Sequence, residues 1–108
     1  MNILFVCTLN KVRSVSAERL YRRTPGIAVR SAGTSDRAAH RVTKEDMTWA
    51  DKVIVFTPGH EEWLRANFEG TLPPIVDIGV PDLYAAEGPR LNAELMEALT
   101  PILGSPGK

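Results

Sequence analysis

Cysteine is nearly absent from this chain of 108 residues: there is one, Cys7. A single thiol cannot close an internal disulfide, and it provides no cluster for zinc or an iron–sulfur centre. This usage fits a reducing compartment, so the expected location is cytoplasmic. Long apolar runs are missing as well. The apolar stretches are strand-sized, as in NILFV at residues 2–6, and none is long enough to predict a membrane span. Lys11 and Arg13 follow that first run without a longer apolar stretch and small-residue cleavage site, so no signal peptide is expected. Net charge is absent too, with 13 Lys/Arg against 13 Asp/Glu. The chain as a whole therefore points to neither a nucleic acid nor a membrane as partner.

What is present suits a single globular domain. Hydrophobic residues make up 44% of the chain, enough for a core. The charge is unevenly spread: residues 1–44 hold nine Lys/Arg and two acids, whereas residues 45–108 hold four Lys/Arg and eleven acids. Solvated helix faces account for part of this, including Arg19, Arg22 and Arg23. A positive field around an anion site in the first half would account for the rest.

Apolar periodicity and turn residues predict eight elements. Strands are expected at 2–6, 27–31, 52–56 and 74–78. A helix is expected over 14–23 with Ser14 as its cap, and a short one opens at the capping-box sequence Thr43-Lys44-Glu45-Asp46. A third follows the Thr57-Pro58 pair through Phe68, and a fourth runs from Leu91 to Leu99, with Pro101 ending or kinking it. The order βαβαβαβα predicts a four-stranded parallel sheet covered by helices on both faces, a three-layer α/β/α domain over 1–103. Residues 104–108 are expected to be a flexible tail. Ligands of such sheets bind beyond the carboxyl ends of the strands. Cys7 ends the first strand and Asp82 lies just past the fourth, so the topology brings both to one edge.

The stretch between Cys7 and Ser14 is the most informative. It leaves a strand and enters a helix, so the amide groups of Thr8, Leu9, Asn10, Lys11 and Val12 can curl around an oxyanion in front of a positive helix end. Arg13 adds a planar, permanently charged fork suited to phosphate. The same field favours the nucleophilic thiolate of Cys7, and Ser14 can donate a hydrogen bond to the sulfur. A C-x5-R spacing alone recurs by chance, and lone cysteines are often core residues. The strand before Cys7, the helix after it and Arg13-Ser14 at the helix start favour chemistry.

Val6-Cys7-x-x-Asn10-x-x-Arg13-Ser14-x-x-Ala17-Glu18 resembles the signature of the low-molecular-weight protein tyrosine phosphatases. Ser31-Ala32-Gly33-Thr34, Val42-Thr43-Lys44-Glu45-Asp46 and Val80-Pro81-Asp82-x-Tyr84 resemble three further family segments, in the family's order. The form Asn10-Lys11-x-Arg13-Ser14 is similar to that of a shorter bacterial branch. Leu9 stands where the family has glycine, Val12 replaces its second cysteine, and Val15 and Leu83 replace prolines.

The resemblance implies the flavodoxin-like strand order 2-1-3-4 and a cysteine-dependent phosphatase acting through phosphocysteine, with no cofactor and no metal. Cys7 would be the nucleophile, and Arg13 with the loop amides of residues 8–14 would hold phosphate. Asp82 would be the general acid and then the base, Asn10 a brace for the loop, and Tyr84 a flanking contact for a substrate ring. The implied substrates are a phosphotyrosyl protein or a small aryl phosphate, with inorganic phosphate or a similar oxyanion also fitting the site.

Asp77 is a rival acid, although it falls in a strand-like run. His40 is expected to be an ordinary loop histidine, and Trp49 and Trp63 packing residues. Two other functions use similar parts: an EIIB-like phosphocysteine carrier, and a non-catalytic module that grips phosphate or phosphoproteins. A carrier needs neither Arg13 nor Asp82. Arsenate reduction by thiol relay needs further cysteines, which this chain lacks.

Overall fold

The computed structural model describes residues 1–81 and 88–107. Four parallel strands, β1 (Asn2–Cys7), β2 (Ala28–Gly33), β3 (Lys52–Val55) and β4 (Ile75–Asp77), line up in the order β2-β1-β3-β4. The helices are α1 (Arg13–Tyr21), α2 (Lys44–Trp49), α3 (Pro58–Asn67) and α4 (Pro89–Leu103). Both the element order and the strand order match the expectation.

Strand alternation sorts the core into two layers. Ile3, Phe5 and Cys7 face one way, with Ile54, and meet Ala17 and Tyr21 of α1 and Leu91, Leu95 and Leu99 of α4. Leu4 and Val6 face the other way, with Val53 and Val55, and meet Met47 of α2 and Leu64 of α3. Helices thus cover both faces. No described helix is long and apolar enough to cross a membrane.

Local chemistry sets the helix starts. At α2 the Thr43 hydroxyl accepts the Asp46 amide at 3.1 Å, and the Asp46 carboxylate accepts the Thr43 amide at 3.0 Å. This reciprocal pair satisfies two otherwise orphaned donors. Pro58 occupies the first turn of α3 behind Thr57, as the sequence suggests.

Two helix boundaries differ from the expectation. Helix α1 begins at Arg13 behind Val12, and Ser14 is not its cap. Ser14 lies inside the first turn with its hydroxyl turned to Cys7 and Asn10. Helix α4 does not stop before Pro101 but continues to Leu103. A proline in the last turn forfeits one backbone bond. In return, Ile102 and Leu103 stay packed against the first core layer, and Gly104 closes the helix with its amide on the Thr100 carbonyl at 2.9 Å. Beyond it, the Gly107 amide donates to the Thr24 hydroxyl at 2.8 Å, and the Tyr21 hydroxyl donates to the Gly104 carbonyl, also at 2.8 Å.

Candidate active site

Cys7 is the last residue of the central strand β1, paired with Gly33 at the end of β2. The chain then loops from Thr8 to Val12 before α1. The carbonyl of Cys7 and the first two carbonyls of the loop turn toward the segment after β2: Cys7 accepts from Thr34 N–H at 2.9 Å, Thr8 from Ser35 at 3.0 Å and Leu9 from Ala39 at 3.0 Å. In a trans peptide the N–H points opposite to the C=O. With the Thr8 carbonyl so engaged, the Leu9 amide points away from the 34–39 segment. Among the described residues, the amide groups of Leu9, Asn10, Lys11 and Val12 donate to no carbonyl or side chain. Four successive donors therefore remain for a ligand, directly ahead of the nine-residue helix α1, whose N-terminus has no side-chain cap. Backbone donors and a helix N-terminus together attract anions.

Gly33 makes this approach possible. A Cβ built on it would lie 2.5 Å from the Thr8 carbonyl oxygen and 2.6 Å from the Ala38 Cβ. Only glycine lets the end of β2 lie so close to the loop. Glu18 and Ser31, each from a quoted motif, meet through a hydrogen bond from the serine hydroxyl that ties α1 to β2.

Asn10 carries the loop's one turn into left-handed space, with φ 55°. Asparagine tolerates this region better than most residues. Its amide Nδ2 donates to the Ser14 hydroxyl at 2.9 Å, and the same hydroxyl lies 2.9 Å from the Cys7 sulfur. Ser14 Oγ thus accepts from Asn10, and its own proton is available to the sulfur, which as a thiolate could only accept. Leu9 has no positive φ, which answers how this chain dispenses with the family glycine there. Its side chain is 40% exposed at the loop's outer edge. Val12 packs against the first core layer.

Cys7 and Arg13 are both buried, 3% and 5% exposed. The sulfur belongs to the first core layer, but it is bonded to a hydroxyl rather than enclosed by carbon alone. Arg13 does not reach into solvent. Its Nη1 donates to the Val80 carbonyl at 3.1 Å, and its guanidinium carbon lies 5.9 Å from the centre of the Phe56 ring. These contacts hold the guanidinium on the core side of the loop. Cys7, Thr8, Leu9, Asn10, Lys11, Val12, Arg13 and Ser14 thus form one continuous turn between β1 and the start of α1. Asp82 and Tyr84 lie outside the described residues. Asp77 is exposed and accepts the Gly79 amide at 2.9 Å, which is turn chemistry.

His40 is tied to Asp46, with Nε2 2.8 Å from the carboxylate. Asp46 is buried, which by itself pushes its carboxyl up. The hydrogen bonds from His40 and from the backbone and side chain of Thr43, with the attraction of His40, outweigh this and hold it below the ordinary carboxylate value. Trp49 and Trp63 pack on the second core layer, and arginines lie over both rings, Arg30 on Trp49 and Arg41 on Trp63.

Sequence reasoning missed His60. It is buried in the first turn of α3, with Nε2 3.0 Å from the Thr8 hydroxyl. Its position past the end of β3, on the edge that carries Cys7, was the signal available. The 34–39 backbone was also missed, because main-chain donors leave no mark on residue type.

A curated relative, the protein-arginine-phosphatase of Geobacillus stearothermophilus, is 33% identical in an alignment of 90 residues that covers 61% of this chain and 61% of that protein. The chain thus spans 61% of the length of that relative. Two solved structures share the fold over nearly the whole chain. One is a YwlE arginine phosphatase mutant with a phosphorylated active-site serine (TM-score 0.77, 24% identity, 92% of this chain and 91% of that one). The other is the low molecular weight protein tyrosine phosphatase of T. tengcongensis (TM-score 0.73, 22% identity, 91% and 92%). The family model described as low molecular weight phosphotyrosine protein phosphatase matches residues 2–55, half of the chain, taking in β1, the Cys7–Ser14 loop and the Gly33 approach. The chain belongs to the low molecular weight phosphotyrosine protein phosphatase family.

Proposed function

We propose that this chain is a metal-independent phosphomonoester hydrolase of the protein-tyrosine phosphatase type, acting through a phosphocysteine on Cys7. The observation that carries this reading is the Cys7 sulfur, 2.9 Å from the Ser14 hydroxyl and followed by four successive amide donors with no acceptor among the described residues. The site pairs a nucleophile with a receptor for a tetrahedral anion.

The thiolate of Cys7 attacks phosphorus, forming the S–P bond as the P–O bond to the leaving group breaks. The loop amides and Arg13 take up the charge on the three equatorial oxygens. Asp82 gives its proton to the leaving oxygen. Water then attacks phosphorus, Asp82 takes a proton from it, and the sulfur leaves as a thiolate that receives the Ser14 hydrogen bond. Inorganic phosphate is the product and remains a ligand of the same loop.

The substrate we favour is a phosphotyrosyl protein or a small aryl phosphate. Leu9 offers an apolar edge for a ring, and the exposed cation of Lys11 opposes a positively charged leaving group. The likeness to a protein-arginine-phosphatase supports a second reading, in which the phosphoryl group is taken from arginine.

The test is hydrolysis of para-nitrophenyl phosphate by the purified protein in the presence of a chelator. Turnover that disappears in Cys7→Ser is expected. Equal turnover by Cys7→Ser would remove the nucleophile, and phosphate binding without turnover would leave a binding module. Comparing kcat/KM for a phosphotyrosyl and a phosphoarginyl peptide decides between the two substrates.

A further inference from the structure

His60 does more than fill space beneath α3. One ring nitrogen, Nδ1, lies 3.3 Å from the backbone nitrogen of Phe56. That amide can only donate, so Nδ1 carries a lone pair. The single proton of the neutral ring is then on Nε2, which lies 3.0 Å from the Thr8 hydroxyl oxygen and donates to it. The backbone at the end of β3 thus selects the tautomer, and the tautomer selects the partner.

Thr8 is the residue after Cys7, and its main chain is held from the other side. Its carbonyl accepts the Ser35 amide at 3.0 Å, beyond the end of β2. Because β1 lies between β2 and β3, these two ties come from opposite flanks. One fixes the Thr8–Leu9 peptide plane, whose N–H is the first of the four open donors. The other fixes the side chain of the same residue. Residue 8 is otherwise exposed, and without the second tie it would hinge on a single backbone bond.

We infer that His60 is a positioning residue of the anion loop, holding Thr8 through its Nε2 proton so that the amides following Cys7 stay aimed at a bound oxyanion. This rests on the phosphatase reading only for its effect on turnover. The effect on the loop and on phosphate binding is independent of it.

The experiment uses the full chain and three variants, Thr8→Val, Thr8→Ser and His60→Gln. Two-bond nitrogen–proton NMR reads the histidine tautomer, titration with inorganic phosphate reads the loop, and para-nitrophenyl phosphate reads turnover. The wild type is expected to show His60 protonated on Nε2. Thr8→Val, a change at an exposed residue, should weaken phosphate binding about tenfold and lower kcat by a similar factor while leaving the melting temperature within a degree or two. These figures correspond to roughly one hydrogen bond to a loop that meets charge. Thr8→Ser keeps the acceptor and should recover most of the loss. Combining Thr8→Val with His60→Gln should cost no more than His60→Gln alone, because both remove one interaction.

An Nδ1-protonated His60, or a Thr8→Val protein that binds phosphate as tightly as wild type, overturns the inference. So do fully additive effects of the two substitutions. Should the wild type bind phosphate yet turn nothing over, the phosphatase reading fails while the tautomer and phosphate titrations still decide the role of His60.

Discussion

Gly33 and Thr8 touch so closely that a Cβ on the glycine would lie 2.5 Å from the threonine carbonyl oxygen. The end of β2 thereby acts as a backstop for the loop after Cys7. It places the amides of Thr34 and Ser35 on the loop's carbonyls and turns the loop's own donors the other way.

Gly33→Ala is therefore expected to damage both stability and the site. The contact is with backbone, so the loop or the strand must shift, and overpacking of this kind costs about 1–3 kcal/mol. Chemical denaturation should show this loss, and phosphate affinity should fall with it. An alanine variant that binds phosphate normally would mean that the close approach is not what shapes the loop.

Ser14→Ala removes the hydroxyl that joins Asn10 to the sulfur. A hydrogen bond to a charged group contributes about 1.5–3 kcal/mol, so the step in which sulfur leaves should slow by roughly tenfold to a hundredfold. Phosphocysteine should then accumulate, visible as a burst of para-nitrophenol ahead of slow turnover. A uniform fall in rate with no burst would place Ser14 in the first step instead.

Iodoacetate is expected to alkylate Cys7, and inorganic phosphate to protect it, because sulfur and anion share one loop. The measurement is the rate of modification by mass spectrometry with and without phosphate. Identical rates would separate the thiol from the anion site.

Acid should weaken the fold through Asp46. Its folded-state carboxyl is held below the ordinary value, so its contribution is present above the unfolded value, near 4, and is lost as pH falls through the lower folded value. Asp46→Asn should cost about 1–2 kcal/mol at neutral pH, discounted because His40 is half exposed. The difference from wild type should shrink toward zero as the pH falls through the lowered folded value. A difference that is constant from pH 7 to pH 3 would show that charge on Asp46 is not the source.

Much of this protein was legible before any coordinates. Alternating apolar runs and turn residues identified all four strands, because a buried parallel strand must be apolar and short. The order of elements pointed to a parallel sheet covered on both faces, and the family resemblance supplied the strand order 2-1-3-4. The Cys7–Ser14 loop was legible because strand end, polar loop and helix start lie together in the sequence. Pro101 misled because a local rule about proline was outweighed by burial of Ile102 and Leu103. Of the two expectations for Ser14, contact with the sulfur holds and the helix cap does not, because one hydroxyl turned to Cys7 and Asn10 is not available to the helix end.

By itself, then, the sequence determined what is local or periodic: the elements, their order and the chemistry gathered between Cys7 and Ser14. The tertiary structure alone decided which distant groups shape that loop. Gly33, the amides of Thr34, Ser35 and Ala39, and the His60 ring come from β2, the segment after it and α3. Their contributions depend on backbone direction and on close approach between chain segments, and neither is written in the identity of a residue.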